Sequence, residues 1–403
     1  MKRFGPIWLV IIIDSIGYGL VYPIMTLIFT NPTHPILPVG STLALRNFYL
    51  GLGYLLFPLA MFFGASLLSD LSDRIGRKRV LMIAIFGLFL SFMSMGIGTQ
   101  INSLFLLFLG RAASGVFAGS QPTAQAAIAD MSSEDEKKRN FSIMTFVLSI
   151  GIILGPVIGG FFADPKISAM FNFSTPFYFT AGLAFLNAIW LTWRFEETHY
   201  PQEKKKIDLF RPIKIFLEAF ENKRVLWMGG TFFLMQVGFA TFYQLIQVRM
   251  AVQFGYQAWQ LGMFNAAIGV SFALAIWISL KFFIKMFKEG VIGTITLFLT
   301  GVFLIFVGIV QTHVSVLIFS LLAAGFDMIA FSMMMTAFSR SVDSNRQGWI
   351  MGIFGATLAI AKILPGLELN LLTFTRASTV ILLGGVSMML SSLSMFLYSK
   401  KYR

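Results

Sequence analysis

Cysteine is absent from the 403-residue sequence, so disulfides, thiolate metal sites and cysteine nucleophiles are excluded. Charged residues make up only 12%, about half the share found in soluble domains. The three histidines, His34, His199 and His313, are not spaced as metal ligands. No Walker glycine loop is present, so ATP hydrolysis is not encoded. We therefore expect no metal, no cofactor and no enzymatic activity. Any transport would be driven by an ion gradient or by the concentration gradient of the substrate itself.

Long apolar runs dominate what is present, since 57% of the residues are hydrophobic. A helix that spans a bilayer needs about 20 predominantly apolar residues. The first run, 7–29, is too long for the apolar region of a signal peptide and is predicted to be a span. The sequence predicts an all-α polytopic membrane protein with twelve transmembrane helices. The predicted spans are 7–29, 47–68, 80–99, 103–129, 140–163, 176–194, 225–252, 258–280, 290–311, 314–337, 347–369 and 375–398.

The net charge of +13 arises from 31 Lys and Arg against 18 Asp and Glu. Such an excess can indicate nucleic-acid binding, but most of the basic residues fall in short loops on one side of the predicted spans. By the positive-inside rule, that side is cytoplasmic and both termini lie there. We predict an inner-membrane protein whose basic loops contact lipid headgroups and not nucleic acid.

A polar stretch, 195–224, divides the spans into six and six. It contains Lys204-Lys205-Lys206 and is predicted to be a cytoplasmic linker between an amino-terminal bundle, 1–194, and a carboxy-terminal bundle, 225–403. Many secondary transporters consist of two such halves, with the substrate site at the interface of the repeats. The sequence therefore predicts transport of a small molecule.

Ionisable side chains inside the predicted spans are few. Each costs about 2.5–3.5 kcal/mol on insertion scales, so each is a candidate functional residue. They are Asp14, Arg111, Asp327 and Lys362, with Arg249 and Glu368 nearer the outer interface. Asp14 is a candidate proton site or a structural hydrogen-bonding group, Arg111 is a candidate for a structural ion pair, and Lys362 either lines the cavity or neutralises Asp327.

Polar side chains also recur along single faces of the predicted spans. Tyr18 and Tyr22 follow Asp14, while Gln121 and Gln125 follow Arg111 at helical spacing. Such stripes face protein or water, not lipid. The predicted substrate cavity is lined by Tyr18, Tyr22, Gln121, Gln125, Gln236, Tyr243, Gln247, Asn265 and Lys362.

The loop after the second predicted span reads Ser69-Asp70-Leu71-Ser72-Asp73-Arg74-Ile75-Gly76-Arg77-Lys78-Arg79. It resembles the signature loop of the major facilitator superfamily, with Ser69 in place of the family's leading glycine. The resemblance implies that Asp73, Arg74, Gly76 and Arg77 belong to a cytoplasmic gate, with Asp130 as a partner of the arginines. The alternative is ordinary positive charge of a cytoplasmic loop.

Further motifs are similar to those of the drug/proton antiporter branch that includes the tetracycline/proton antiporters. They are the run Asp14–Pro23, the run Arg111–Gly115 and the antiporter motif of span five. That motif consists of Gly151, Gly155, Pro156, Gly159 and Gly160. The resemblance implies that spans one, four, seven and ten line the cavity and that Asp14 and Arg111 take part in proton transfer. It also implies that Asp327 is a second proton site or pairs with a cationic substrate. The protein is expected to be a monomer.

The function predicted on these grounds is proton-coupled export of an amphipathic small molecule by alternating access. One alternative is a proton-coupled importer of a siderophore, peptide or metabolite. Another is a membrane receptor or assembly partner that does not transport. The identity of the substrate does not follow from the sequence.

Overall fold

The computed structural model describes residues 4–200, 210–279, 289–341 and 347–401. Several basic positions of the predicted cytoplasmic loops lie outside the described residues. They are Lys2, Arg3, Lys204 to Lys206, Lys281 to Lys288, Arg346 and Arg403.

The described residues form helices, and the predicted all-α polytopic fold is confirmed. Eleven spans are long and apolar enough to cross a membrane. The remaining predicted span, six, is the helix Thr175–Arg194, which contains Asn187 and several aromatic residues. In chain order the helices of the spans are Gly5–Gly19 with Val21–Thr30 (span one), Leu43–Ile75 (two), Arg77–Gln100 (three), Leu104–Ala118 with Gln121–Asp130 (four), Glu134–Phe162 (five), Thr175–Arg194 (six), Lys223–Phe254 (seven), Ala258–Ile278 (eight), Glu289–Ile309 (nine), His313–Ser339 (ten), Gln347–Glu368 (eleven) and Ala377–Lys401 (twelve). A short helix, Arg211–Glu218, lies in the predicted linker.

The turn between spans two and three is much shorter than the predicted loop. Span two continues as a helix through Ile75, and span three begins at Arg77. Gly76 alone reverses the chain with φ at +101°, a conformation that glycine adopts without steric cost. The carboxylate of Asp73 is therefore carried on a helix and held at a fixed position relative to Arg77.

Span five begins six residues before its predicted start because the sequence provides a capping box. The Ser133 side chain accepts from the backbone of the first turn, and the Glu136 side chain accepts from the Ser133 backbone. The Ser133 amide and hydroxyl hold the pKa of the Glu136 carboxyl below its usual value. The first turn of span five therefore lies outside the apolar part of the helix.

Span five packs directly on span one through its glycines. A Cβ on Gly151 would lie 2.5 Å from the Ser15 side chain, one on Gly155 would lie 2.7 Å from the Ile16 carbonyl oxygen, and one on Gly159 would overlap the Leu20 carbonyl. Small residues at this spacing let two helix backbones approach closely. The antiporter motif thus positions span one, which carries Asp14.

Contacts divide the chain into two compact units. The first comprises Met1–Ser41, Leu56–Arg211 and Tyr256–Ala266; the second comprises Thr42–Leu55, Pro212–Gly255 and Ala267–Arg403. Within the first unit, Gly160 contacts the start of span eight at Ala258 and Gly262. The division into bundles 1–194 and 225–403 with a linker at 195–224 stays a prediction.

The glycine packing generates a stability prediction. We expect Gly155→Ala to lower the free energy of unfolding by about 1–3 kcal/mol, because overpacking displaces neighbouring backbone. The matched control is Gly182→Ala in span six, where no atom lies within 4 Å of the added Cβ. Thermal unfolding of both purified variants in one detergent measures the difference. Equal midpoints for the two variants would contradict the packing role of Gly155.

Candidate functional site

Asp14 is buried in the middle of span one and is bound by a residue of span four. Its side chain is 7% exposed, and its Oδ2 accepts a 2.6 Å hydrogen bond from the Ser120 hydroxyl. The other oxygen, Oδ1, has no hydrogen-bond partner among the described residues. No basic residue in the described part of the chain forms an ion pair with Asp14. The carboxyl can therefore exchange a proton without breaking an ion pair.

Arg111 of span four is fully buried and contacts the backbone of span one. Its Nη1 donates to the carbonyl oxygen of Gly17 at 3.1 Å, and its guanidinium carbon lies 4.5 Å from the centre of the Phe57 ring. An arginine above an aromatic face is stabilised by the ring quadrupole. The Arg111 side chain is thus held by a carbonyl and a ring, and not by the Asp14 carboxylate.

Span four is interrupted between Ala118 and Gln121, at the position of Ser120. Pro122 has no N–H for the Ala118 carbonyl, so the helical hydrogen-bond ladder cannot continue there. The Gly119 amide bonds instead to Val116 and the Ser120 amide to Phe117, both three residues back. The predicted stripe from Arg111 through Gln121 and Gln125 is therefore not one continuous helix face. Gln121 and Gln125 lie, half buried, on the second segment.

Span one has a similar interruption at Leu20. Pro23 lacks the N–H that the Gly19 carbonyl would accept, and the helices on either side end at Gly19 and begin at Val21. The Pro156 ring of span five packs against this point, since a Cβ on Gly19 would lie 2.6 Å from it. The interruption thus coincides with the antiporter motif.

Two tyrosines of span one belong to the same aromatic cluster as the ring next to Arg111. The Tyr18 ring lies 5.6 Å from the Tyr22 ring and 5.7 Å from the Phe57 ring, measured between centroids. Phe57 is the ring on which the Arg111 guanidinium stacks. Tyr18 and Tyr22 therefore share one aromatic cluster with the buried arginine.

In the second unit, Asp327 is buried in span ten. The residue is 5% exposed, and its Oδ1 accepts no hydrogen bond from any described residue. Lys362 is half buried. The interpretation that Lys362 neutralises Asp327 stays a prediction.

The predicted polar residues of spans seven and eight differ in their contacts. The amide nitrogen of buried Gln236 has no hydrogen-bond partner in the described part of the chain. Gln247 and Asn265 donate to carbonyls of their own helices, at Tyr243 and Leu261. Asn265 lies in the first unit, whereas the predicted residues of span seven lie in the second.

An aromatic contact between spans seven and ten relates the depth of Asp327 to that of Gln236. Phe331, one turn after Asp327, has its ring centroid 5.9 Å from that of Phe232, one turn before Gln236. The Phe232 ring also stacks on Phe354 at 4.2 Å. Spans seven and ten run in opposite directions, so Asp327 and Gln236 lie on the same side of this aromatic cluster.

The predicted gate residues form a compact ionic cluster around Arg77. Its Nη1 lies 2.6 Å from Asp73 and 2.5 Å from the Ser72 hydroxyl, and its Nε lies 3.4 Å from Asp130. Arg74 is exposed and forms no ion pair with a described residue. Of the two arginines expected to reach Asp130, Arg77 does so and Arg74 does not.

Glu197 is a member of this cluster that the sequence reasoning did not assign. Its carboxylate accepts from the backbone amides of Arg77, at 2.7 Å, and of Lys78, at 3.2 Å. It thus caps the amino end of span three, where a negative charge is stabilised by the helix dipole. The signal is present in the sequence, since two adjacent acidic residues, Glu196 and Glu197, directly follow span six.

Ser120 is the second residue that the sequence reasoning missed. A serine in an apolar span is usually bonded to its own helix, as Ser114 is to the Arg111 carbonyl. The available signal was the Gly119-Ser120-Gln121-Pro122 run, which breaks a helix and frees the serine side chain.

No group of His, Cys, Asp or Glu side chains within the described ranges is arranged to hold a metal ion.

Comparison with known proteins identifies close relatives in sequence and fold. The chain is 26% identical over 370 residues to the tetracycline resistance protein, class C, of Escherichia coli, covering 91% of this chain and 88% of that protein. It is 25% identical over 364 residues to multidrug resistance protein 2 of Bacillus subtilis, covering 88% and 84%. Its fold is similar to that of a D-xylose-proton symporter, with a TM-score of 0.73 at 15% identity over 98% of this chain and 97% of that one.

The family model described as Major Facilitator Superfamily matches residues 7–365. The expected resemblance to this superfamily and to its drug-efflux members is thereby confirmed. The chain belongs to the major facilitator superfamily.

Proposed function

We propose that the chain is a proton-coupled exporter of amphipathic small molecules that works by alternating access. The observation that carries the proposal is the Asp14 carboxyl, which is buried, bonded through one oxygen to Ser120, and free of any ion pair within the described residues. A carboxyl at this depth carries an insertion cost, which makes it a candidate functional group.

Arg111 supports a role of this site in coupling. Its charge is held against the Gly17 carbonyl of the span that carries Asp14, and against the Phe57 ring, which contacts Tyr18 of the same span. A proton on Asp14 changes the net charge beside Arg111, and that change favours one conformation of the spans over the other. Proton and substrate then alter each other's binding by the same free energy, as linkage requires.

The chemistry of the substrate is inferred from two buried polar atoms without a hydrogen-bond partner among the described residues, Asp327 Oδ1 and Gln236 Nε2. Asp327 offers a buried acceptor and Gln236 a buried donor beside the Phe232 and Phe331 rings. An apolar molecule that carries both hydrogen-bonding groups and a positive charge fits these side chains. The relatives are named for resistance to tetracycline and to multiple drugs, which supports an amphipathic drug-like substrate.

The direction of transport is export because the span-five motif and both sequence relatives belong to efflux systems. The alternative of a proton-coupled importer is favoured by one observation, the shared fold with a D-xylose-proton symporter. We further propose that the protein acts as a monomer in the inner membrane with both termini in the cytoplasm.

Proton release tests the site. Tetracycline or a lipophilic cation, added to the purified protein at weakly buffered pH, should release protons from the wild type and not from Asp14→Asn. The matched control is Glu196→Gln, an acid-to-amide change at an exposed position. Proton release that persists in Asp14→Asn while substrate still binds would remove Asp14 from the mechanism.

Inside-out vesicles test the direction. With an acidified lumen, the exporter should accumulate substrate in the lumen, because protons leave as substrate enters. Asp14→Asn should reduce this uptake to the level of vesicles without a gradient. Accumulation in right-side-out vesicles on acidification of the outer medium would instead establish the importer.

Asp327→Asn separates cationic from uncharged substrates. Binding of a lipophilic cation should weaken by about tenfold or more, since a charged hydrogen bond contributes roughly 1.5–3 kcal/mol. Binding of an uncharged compound of similar size should be unchanged. Fluorescence titration of both ligands measures the ratio; equal losses for the two would mean that Asp327 does not pair with the cation.

A further inference from the structure

Ser120 occupies a position that no other residue of span four shares. It is fully buried, it lies between the two helices of the span, and its hydroxyl bonds to Asp14 across 106 residues of sequence. Its backbone carbonyl accepts from Ala124, the first such bond of the second helix. The residue therefore joins the proton site to the amino end of the segment Gln121–Asp130.

The segment Gln121–Asp130 ends in the ionic cluster around Arg77. Asp130 accepts from Arg77 and, at 3.4 Å, from the Thr198 hydroxyl. Ten helical residues are about 15 Å long. One rigid half-helix thus has the proton site at one end and the Asp73–Arg77 cluster at the other.

The interruptions of spans one and four are linked in both directions. Asp14 of span one bonds at the interruption of span four, and Arg111 of span four bonds to Gly17, three residues before the interruption of span one. Each interruption is thereby tied to an ionisable residue of the other span.

We propose that Ser120 is a positioning residue that transmits the protonation state of Asp14 through the half-helix Gln121–Asp130 to the Asp73–Arg77 cluster. The inference rests on the proposed function. An ionised carboxylate only accepts hydrogen bonds, so the Ser120 hydroxyl donates to it in a charge-assisted bond. Protonation turns this into a bond between neutral groups, about half as strong, and loosens the joint.

The groups that could influence Asp14 from neighbouring elements are few. Spans three to six contact the helix Gly5–Gly19, and within their membrane parts the titratable or charged side chains are Arg111 and Tyr178. Arg77, Lys78, Arg79, Asp130, Glu136, Lys137, Arg139 and Arg194 lie at the ends of these spans. On span one itself, Tyr18 and Tyr22 follow Asp14.

The first measurement is the pH profile of substrate-induced proton release, with tetracycline as the probe. Ser120→Ala removes the donor to the ionised carboxylate, so Asp14 stays protonated to higher pH and the midpoint should rise by about one pH unit. Ser120→Thr keeps the hydroxyl and should restore the wild-type midpoint. Ser114→Ala, equally buried on the same span but bonded to its own helix, should leave the midpoint unchanged.

The second measurement follows the half-helix itself. Because the chain has no cysteine, a nitroxide on Ala129→Cys reports this segment alone, with Met170→Cys in an exposed loop as reference. Label mobility should rise as the pH falls through the midpoint. The rise should be absent in the Ser120→Ala and Asp14→Asn backgrounds and retained with Ser114→Ala.

The outcomes distinguish this proposal from the proposed function. Three results would overturn the role of Ser120 and leave the Asp14 antiport standing. They are a wild-type midpoint and label response in Ser120→Ala, an equal midpoint shift in Ser114→Ala, and no rescue of the midpoint by Ser120→Thr. Proton release that survives Asp14→Asn overturns the antiport itself. If Ser120→Ala does not fold, Ser120→Cys fills the same space with a much weaker donor and should give the same midpoint shift.

Discussion

A polar group inside a bilayer has no water to bond, and this constraint determines how spans one and four are built. Each span contains a proline, Pro23 or Pro122, that removes one backbone donor. Such interruptions are tolerated where neighbouring helices and side chains satisfy the freed groups. Here Ser120 and Arg111 supply the polar contacts between the two interrupted spans. The charged residues and the interruptions are therefore parts of one arrangement.

Close backbone packing holds this arrangement in place. The glycines of span five bring its backbone against Ser15, Ile16 and Leu20, so the interruption of span one cannot relax on that side. Span two approaches span four in the same way, since a Cβ on Gly119 would be within 2.5 Å of Gly64. The joint at Ser120 is thus confined by backbone on one side and by Asp14 on the other.

The sequence predicted the spans, the buried ionisable residues and the family, because each depends on composition or on contiguous motifs. It did not predict that span two continues to Ile75, since positive φ at a single glycine replaces a whole loop. It assigned both Arg74 and Arg77 to the gate cluster. The Arg74 side chain at the end of span two is exposed, whereas the Arg77 side chain at the start of span three contacts Asp130. Ser120 and Glu197 act through residues more than 100 positions away, and no local pattern contains such partners.

Asp14 and Asp327 are held differently, and this difference implies different roles. Asp14 accepts a hydrogen bond from Ser120, and the strength of this bond depends on the charge of Asp14. Protonation of Asp14 can therefore change the conformation of span four. Asp327 has no such donor within the described residues, and its span is a continuous helix, His313–Ser339, without a joint to move. A proton on Asp327 therefore changes only what that acid can bind. Asp14, whose charge changes the contact between spans one and four, therefore has the properties of a coupling residue. Asp327, whose charge changes only the binding of a ligand, has the properties of a recognition residue.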